Sequence, residues 1–435
     1  MKLDKVLHTL FGFDAKQTTI RTEIFAGITT FLTMSYILAV NPDIFSNLDG
    51  MPTGAVFTAT ALAAIIGSLV MAVWGKLPFG LAPGMGLNAF FVFTVCMGMG
   101  KSWQFALTAI FIEGLLFILM TITNLREAIV NAIPQNLRYA IGGGIGLFIA
   151  FLGLQNAGVV INDDATLLKL GDITSGAPLL TFIGLIITAL LWVKKIPGAM
   201  LIGILCTMLI GLPMGITDFK GKVSAPQSVE PIFLQFEWEN IFTLDMLVVV
   251  FTFLFLDMFD TIGTLVGVCT KSNMVNKDGS IYRGKQALMA DAIATTAGAM
   301  LGTSTTTTYV ESASGIAIGG RSGLTAFAVA CCFGFALFFS PLFLSIPAAA
   351  TAPVLIITGL MMLDSVKKID LDDYAESIPA FICLIAIPMT YSISNGILLG
   401  CICYVLINLI CGNFKRLNIT LCILSIIFIL KYIFM

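Results

Sequence analysis

Long apolar runs separated by short polar connections fill almost the whole chain. They lie at about 22–40, 54–74, 84–99, 104–123, 137–155, 177–193, 197–214, 242–267, 286–301, 311–319, 324–344, 351–363, 376–392 and 394–412, with a further run at about 418–434. A helix needs about 20 residues to cross a bilayer, and several of these runs are shorter. The runs at 84–99 and 311–319 each follow a polar or Gly/Pro-rich stretch. That pattern predicts half-helices entered by extended chain.

The polar stretch before the second of these reads Gly-Thr-Ser-Thr-Thr-Thr-Thr-Tyr-Val-Glu over 302–311. Its backbone and hydroxyl groups cannot face lipid and must line a cavity or be buried in protein. It has a counterpart in the first half. Ala61–Trp74 and Ala287–Leu301 are both rich in small residues. Gly75 to Asn88 follows the first and Gly302 to Glu311 the second. Setting Gly75 against Gly302 places Pro83-Gly84 opposite Val310-Glu311. Seven runs precede the second copy, and an odd number inverts it relative to the first. Inverted repeats with paired broken helices mark secondary transporters whose site lies at the repeat interface. The fold class expected is an all-α polytopic membrane protein of about fourteen segments in two inverted seven-segment repeats, with short extended stretches before half-helices 3 and 10.

Composition and charge agree. Residues are 58% hydrophobic and 11% charged, against roughly 25% charged in soluble domains. The net charge of −2 gives no footing for nucleic acid. A cytoplasmic N-terminus requires Lys/Arg in the even-numbered connections. Four basic residues lie in the N-terminal arm and fourteen in even connections, so eighteen of 23 fall on one side. The first residues are polar, so no cleavable signal peptide is expected, and the run from Ile24 serves as the signal. The ten Cys lie mostly in apolar runs without a CxxC motif, and His8 is the only histidine. No metal site, cofactor or enzymatic chemistry is expected from such a set.

Acidic residues fall almost entirely in connections, with Asp257, Asp260, Glu311, Glu113 and Asp291 as the exceptions. Asp257 and Asp260 share one helix face, extended by Thr261 and Thr264. Two close carboxylates in low dielectric do not both ionise cheaply, so one holds a proton it can exchange. Glu311 sits at the expected start of a half-helix, where the dipole favours an ionised carboxylate. Asn88, one turn into the other half-helix, offers a donor and an acceptor. Glu113 and Asp291 read as packing or gating residues. Glu23 and Asp245, near segment ends, read as snorkelling acids. The glycines of 80–86 and 142–144 read as close packing or helix-break geometry, with Gly84, Gly86, Thr308 and Ser312 forming the site backbone.

These residues carry a resemblance. Asn41-Pro42, Ala-Pro-Gly-Met-Gly-Leu-Asn-Ala-Phe-Phe (82–91), Asp-Met-Phe-Asp-Thr-Ile-Gly-Thr-Leu (257–265) and the long run 302–326 are similar to motifs of the AzgA-like purine permeases. Those are the hypoxanthine/guanine and adenine branch of the nucleobase–cation symporter-2 superfamily. The match runs from Phe11-Gly12 to about Gly412. It implies a uracil-permease-like fold, with segments 1–4 and 8–11 as a core domain and 5–7 and 12–14 as a gate domain. The chain then divides into a cytoplasmic arm (1–21), the first halves of core (22–123) and gate (124–215), and an external loop (216–241). The second halves of core (242–344) and gate (345–412) follow, then an extra hydrophobic segment (413–435). The resemblance implies proton-coupled uptake of a purine base across the plasma membrane by alternating access, driven by the proton gradient with no cofactor. The base-binding carboxylates of segments 8 and 10 map onto Asp260 and Glu311, with Asp257 as the neighbouring acid typical of the purine branch. The segment-3 asparagine maps onto Asn88.

A purine base is flat, mostly neutral, and edged with N–H donors and ring acceptors. Carboxylates accept from its N–H groups, and a site built to pair such groups rejects analogues lacking them. Tyr309, or a phenylalanine such as Phe90, can stack on the ring. Hypoxanthine or guanine, adenine, and xanthine or uracil all remain open as cargo. Sulfate-permease-like anion carriers share the architecture, but three acids near the site oppose an anion. A gate domain with exposed apolar faces permits a homodimer.

Overall fold

A computed structural model describes residues 2–123, 134–164, 166–271, 274, 282–418, 421–422, 425 and 429. The extra segment at 418–434 therefore lies largely outside the described residues. An amphipathic helix α1 (Lys2–Phe11) precedes a first long span broken into α2 (Ile20–Met34) and α3 (Ile37–Phe45). Helix α4 (Thr53–Val70) ends in a π-helical turn, Met71–Gly75. Strand β1 (Leu81–Pro83) leads into α5 (Met85–Ala89), which continues as a π-helix over Phe90–Gly98. Helices α6 (Trp103–Thr123) and α7 (Gln135–Asn156) follow, then a hairpin of β2 (Val160–Asp163) and β3 (Leu167–Leu170). Next come α8 (Gly176–Val193), α9 (Ala199–Gly211), α10 (Leu244–Lys271) and α11 (Gly284–Leu301). Strand β4 (Thr306–Thr308) leads into α12 (Ser312–Ile318) and then α13 (Gly323–Ala336). The chain closes with α14 (Ala348–Met362), α15 (Tyr374–Met389) and α16 (Ile393–Ile410).

Every one of the fourteen apolar segments thus holds a helix. Among the described residues seven helices are long and apolar enough to cross a membrane, from Ile20–Phe45 to Ala348–Lys368. The outward faces are apolar: Leu119, Ile122, Val193 and Phe335 are each more than half exposed. Such side chains are satisfied by lipid, not water. The chain is a helical, membrane-embedded protein.

The helices pack in two groups. Helices α2, α4, α6, α11 and α13 form one packed group, with α10 against α6 and β4, and α7, α8, α14, α15 and α16 form a second cluster; half-helix α12 packs on α2, and α5 packs on α3, α7 and α10. Small residues set the spacing in the first group. Ala287, Ala290, Ala294 and Gly298 are all buried on α11. A Cβ added at Gly114 of α6 would stand 2.9 Å from the Thr296 backbone nitrogen of α11. Without a hydrophobic drive between helices in lipid, such close approach supplies the packing energy.

Two segment-end acids depart from expectation. Glu23 does not reach toward water. It is fully buried, and its carboxylate accepts from the Arg321 and Ser322 backbone N–H groups and from Thr325 Oγ1. It therefore ties the start of α13 to α2, because the first N–H groups of a helix need acceptors from elsewhere. Asp245 is 5% exposed and pairs with Lys101 Nζ at 2.5 Å.

Candidate functional site

The two polar stretches meet. Strand β1 pairs antiparallel with β4, with Leu81 opposite Thr308, Ala82 opposite Thr307 and Pro83 opposite Thr306. Each strand runs directly into a half-helix. Met85 and Ser312 begin those helices, each ten residues after the aligned Gly75 and Gly302. The pairing resolves the problem of extended chain at membrane depth, since each strand satisfies the other's backbone. Gly302 caps α11 at φ +90°, a left-handed conformation that suits glycine, and a Cβ there would also meet the Ile232 carbonyl oxygen at 2.6 Å. Gly84 gives close approach: a Cβ there would stand 2.8 Å from Thr307 Cγ2 and 3.6 Å from Asp260 Oδ2. At Gly86 the nearest atom would be Ile145 Cγ2 of α7, at 2.8 Å.

Successive threonines are held by different helices. Thr303 Oγ1 accepts from Asn41 Nδ2 at 3.1 Å, Ser304 Oγ donates to Asn88 Oδ1, and Thr305 Oγ1 donates to Glu113 Oε2 at 3.1 Å. Thr307 Oγ1 lies 2.8 Å from Thr261 Oγ1. Thr308 N donates to Asp291 Oδ1 at 3.0 Å. Thr261 Oγ1 also contacts Asp291 Oδ2 at 2.7 Å and Asp257 Oδ1 at 3.3 Å. Glu113 and Asp291 accordingly brace the strand pair, as packing residues would. A buried run of hydroxyls is costly unless every group finds a partner. These bonds supply partners at 303, 304, 305, 307 and 308, while the buried Thr306 Oγ1 closes no hydrogen bond among the described residues.

The expected site residues divide into two kinds. Asp257 is fully buried behind the strands, in the Thr261 network. Asp260, partly exposed, stands near Gly84, close enough to Asp291 and Glu311 to feel their charge. Glu311 occupies the N-cap position of α12 without capping it. Its Oε1 instead accepts from the Tyr36 hydroxyl at 2.7 Å. Ser312 Oγ accepts from the Gly80 N–H at 3.0 Å, locking one strand to the other half-helix. Asn88 is fully buried. With Ser304 donating to its Oδ1, its Nδ2 closes no hydrogen bond among the described residues. Tyr309 donates to the Pro83 carbonyl at 2.5 Å, and its ring lies 6.5 Å from that of Tyr36. Phe90 is core packing, edge-on to Phe253 at 4.7 Å. Thr264 is half-buried on the helix face below Asp260.

Sequence reading missed Tyr36. Its only signal there was a hydroxyl-bearing ring in an apolar run, next to Ser35. The structure breaks the first span at that pair, which aims the Tyr36 hydroxyl at Glu311.

Comparison with known proteins gives a consistent picture. A family model described as "Permease family", Xan_ur_permease, matches residues 21–399. The guanine/hypoxanthine permease PbuG of Bacillus subtilis is 44% identical over 99% of this chain and 100% of its own. The adenine permease AdeP of Escherichia coli is 41% identical over 99% of this chain and 96% of its own. Among solved structures, the transmembrane domain of the cyanobacterial bicarbonate transporter BicA superposes with a TM-score of 0.65 over 88% of this chain and 98% of that one. At 16% identity that likeness speaks for the fold alone.

Proposed function

The chain belongs to the Xan_ur_permease family of nucleobase–cation symporters, transporters and not enzymes, and from that premise we propose that it imports a purine base, hypoxanthine or guanine, together with a proton. One observation carries this reading. A carboxylate acceptor (Glu311), a second, partly exposed acid (Asp260) and an amide donor that closes no hydrogen bond among the described residues (Asn88) lie along the paired strands. A purine presents the complement: ring N–H donors for the acids, and a carbonyl or ring nitrogen for Asn88 Nδ2. The orientation of Asn88 favours a 6-carbonyl purine, because an exocyclic amine would meet the amide donor-to-donor. Tyr309 and Tyr36 offer aromatic surface beside the same place. In this reading Asp260 contacts cargo and exchanges the proton, Asp257 supports it through Thr261, and the backbone of Gly84, Gly86, Thr308 and Ser312 shapes the break.

The same proposal covers the architecture. The fourteen segments form two inverted repeats. The strand-bearing group of helices is the moving core, and the cluster of α7, α8, α14, α15 and α16 is the gate, which can also form a homodimer. The protein sits in the plasma membrane with a cytoplasmic N-terminus. No cofactor is needed, because the proton gradient supplies the drive. An anion cargo is disfavoured by Glu311, Asp260 and Asp257 crowding one region.

Competition against labelled hypoxanthine uptake tests the cargo. Unlabelled guanine should compete nearly as well as hypoxanthine itself. Adenine, with an amine in place of the 6-carbonyl, should be roughly tenfold weaker or worse, the size of one mismatched hydrogen-bonding group. Adenine competing better than guanine would reverse the assignment at Asn88.

A further inference from the structure

One face of α2 is given over to half-helix α12. Glu23, Ala26, Thr30 and Thr33 follow one another at three- and four-residue steps, the spacing of a single helix face. Their partners run the opposite way along α12 and the turn after it. Thr33 Oγ1 bonds Ser314 Oγ at 3.0 Å, and Ser314 Oγ donates to the Glu311 carbonyl at 2.7 Å. A Cβ added at Gly315 would stand 2.2 Å from Thr30 Oγ1 and 2.5 Å from the Ala26 carbonyl oxygen, so the two helices touch there. At the far end the Glu23 carboxylate holds the turn that follows α12, through the N–H groups of Arg321 and Ser322 and the Thr325 hydroxyl. Arg321 Nη1 reaches back from that turn to the Ile316 carbonyl at 2.7 Å, tying the last turn of α12 to it. Beyond the break in the span, Tyr36 adds its bond to the Glu311 carboxylate.

We propose that α2 is a splint for this half-helix, with Glu23 and Thr33 as positioning residues for Glu311. A helix of seven residues is not stable by itself, so its placement is set by what it packs against. Glu23 lies about 15 Å along α2 from Thr33, so its effect on cargo travels through α12. Both Glu23 oxygens accept from backbone N–H groups. A glutamine there sets its own N–H₂ against one of them, whichever way the amide lies. The turn then shifts, and with Arg321 tying α12 to that turn, Glu311 shifts with it. Thr33 acts at the other end, where the loss of its hydroxyl frees Ser314 and the backbone of Glu311 from α2. The proposal rests on the reading of Glu311 as a purine acceptor.

The test compares Glu23→Gln, Thr33→Val and Thr33→Ser of the full chain. Thr121→Val serves as a reference for lost stability, since the Thr121 hydroxyl donates to the Phe117 carbonyl at 2.7 Å within α6. Each variant is assayed for KM and maximal rate of labelled hypoxanthine uptake, and for thermal stability without base. The hypoxanthine concentration that half-saturates its thermal stabilisation is measured as well. Glu23→Gln and Thr33→Val should raise KM and that concentration about five- to tenfold, the size of one misplaced buried hydrogen bond, with the maximal rate within about twofold. Thr33→Ser should restore both. Thr121→Val should lower stability and leave both unchanged. Lower stability with unchanged KM in Glu23→Gln would overturn the splint, and an unchanged KM in Thr33→Val would do so by itself if Glu23→Gln does not reach the membrane. Absence of hypoxanthine stabilisation in the wild type would instead overturn the purine reading, and the splint's role with it.

Discussion

Glu311→Gln is expected to reduce labelled hypoxanthine uptake to the background of cells lacking the transporter, while the protein still reaches the membrane. The substitution preserves size. The Tyr36 hydroxyl can still donate to the remaining carbonyl oxygen, so the start of α12 keeps its anchor. What is lost is the charge and the second acceptor. A hydrogen bond to a charged group contributes about 1.5–3 kcal/mol, and the new amide N–H₂ would face a purine N–H donor-to-donor. Together these weaken binding by roughly one to two decades or more. Uptake at tracer concentrations scales with binding and falls accordingly. Membrane insertion followed with a fluorescent C-terminal fusion separates this loss from misfolding. Near-normal uptake by Glu311→Gln would remove this residue from the site.

The second large effect is expected at Asp260. Asparagine at this position can still accept a hydrogen bond but cannot carry a proton through a cycle. Asp260→Asn should therefore abolish accumulation of hypoxanthine against its gradient while leaving exchange of internal for external hypoxanthine measurable. Asp257→Asn provides the contrast. Asp257 is fully buried beside Thr261, so its substitution should lower thermal stability by about 1–3 kcal/mol, the cost of a disturbed buried hydrogen bond. Exchange should be retained there too. Loss of accumulation in Asp257→Asn with full accumulation in Asp260→Asn would swap the two roles.

Much of this arrangement was legible in the sequence because the membrane makes polarity conspicuous. An apolar chain with so few charges exposes every buried acid, and a hydroxyl run that cannot face lipid must find partners inside protein. The start of each half-helix follows from the Gly75 and Gly302 alignment. The pairing itself was not legible. Aligning the repeats relates residue 83 to residue 310, whereas the strands bond Pro83 opposite Thr306, because the two stretches cross and do not superpose. Long-range clamps were equally hidden: Glu113 to Thr305 and Glu23 to Arg321 join residues far apart in the chain. Glu23 looked like an acid within reach of water, and only the packing of α2 on α13 buries it. Tyr36 escaped notice because a tyrosine in an apolar segment usually marks packing, and nothing local shows that the span breaks at Ser35-Tyr36.

The central claim is that the paired strands present a site where purine and proton are carried together. Purified protein in sealed vesicles tests it directly, with labelled hypoxanthine outside and an imposed acid-outside gradient. The account predicts accumulation above equilibrium that disappears when an ionophore collapses the proton gradient. Equal accumulation with the gradient collapsed, or accumulation driven by a sodium gradient alone, would contradict it.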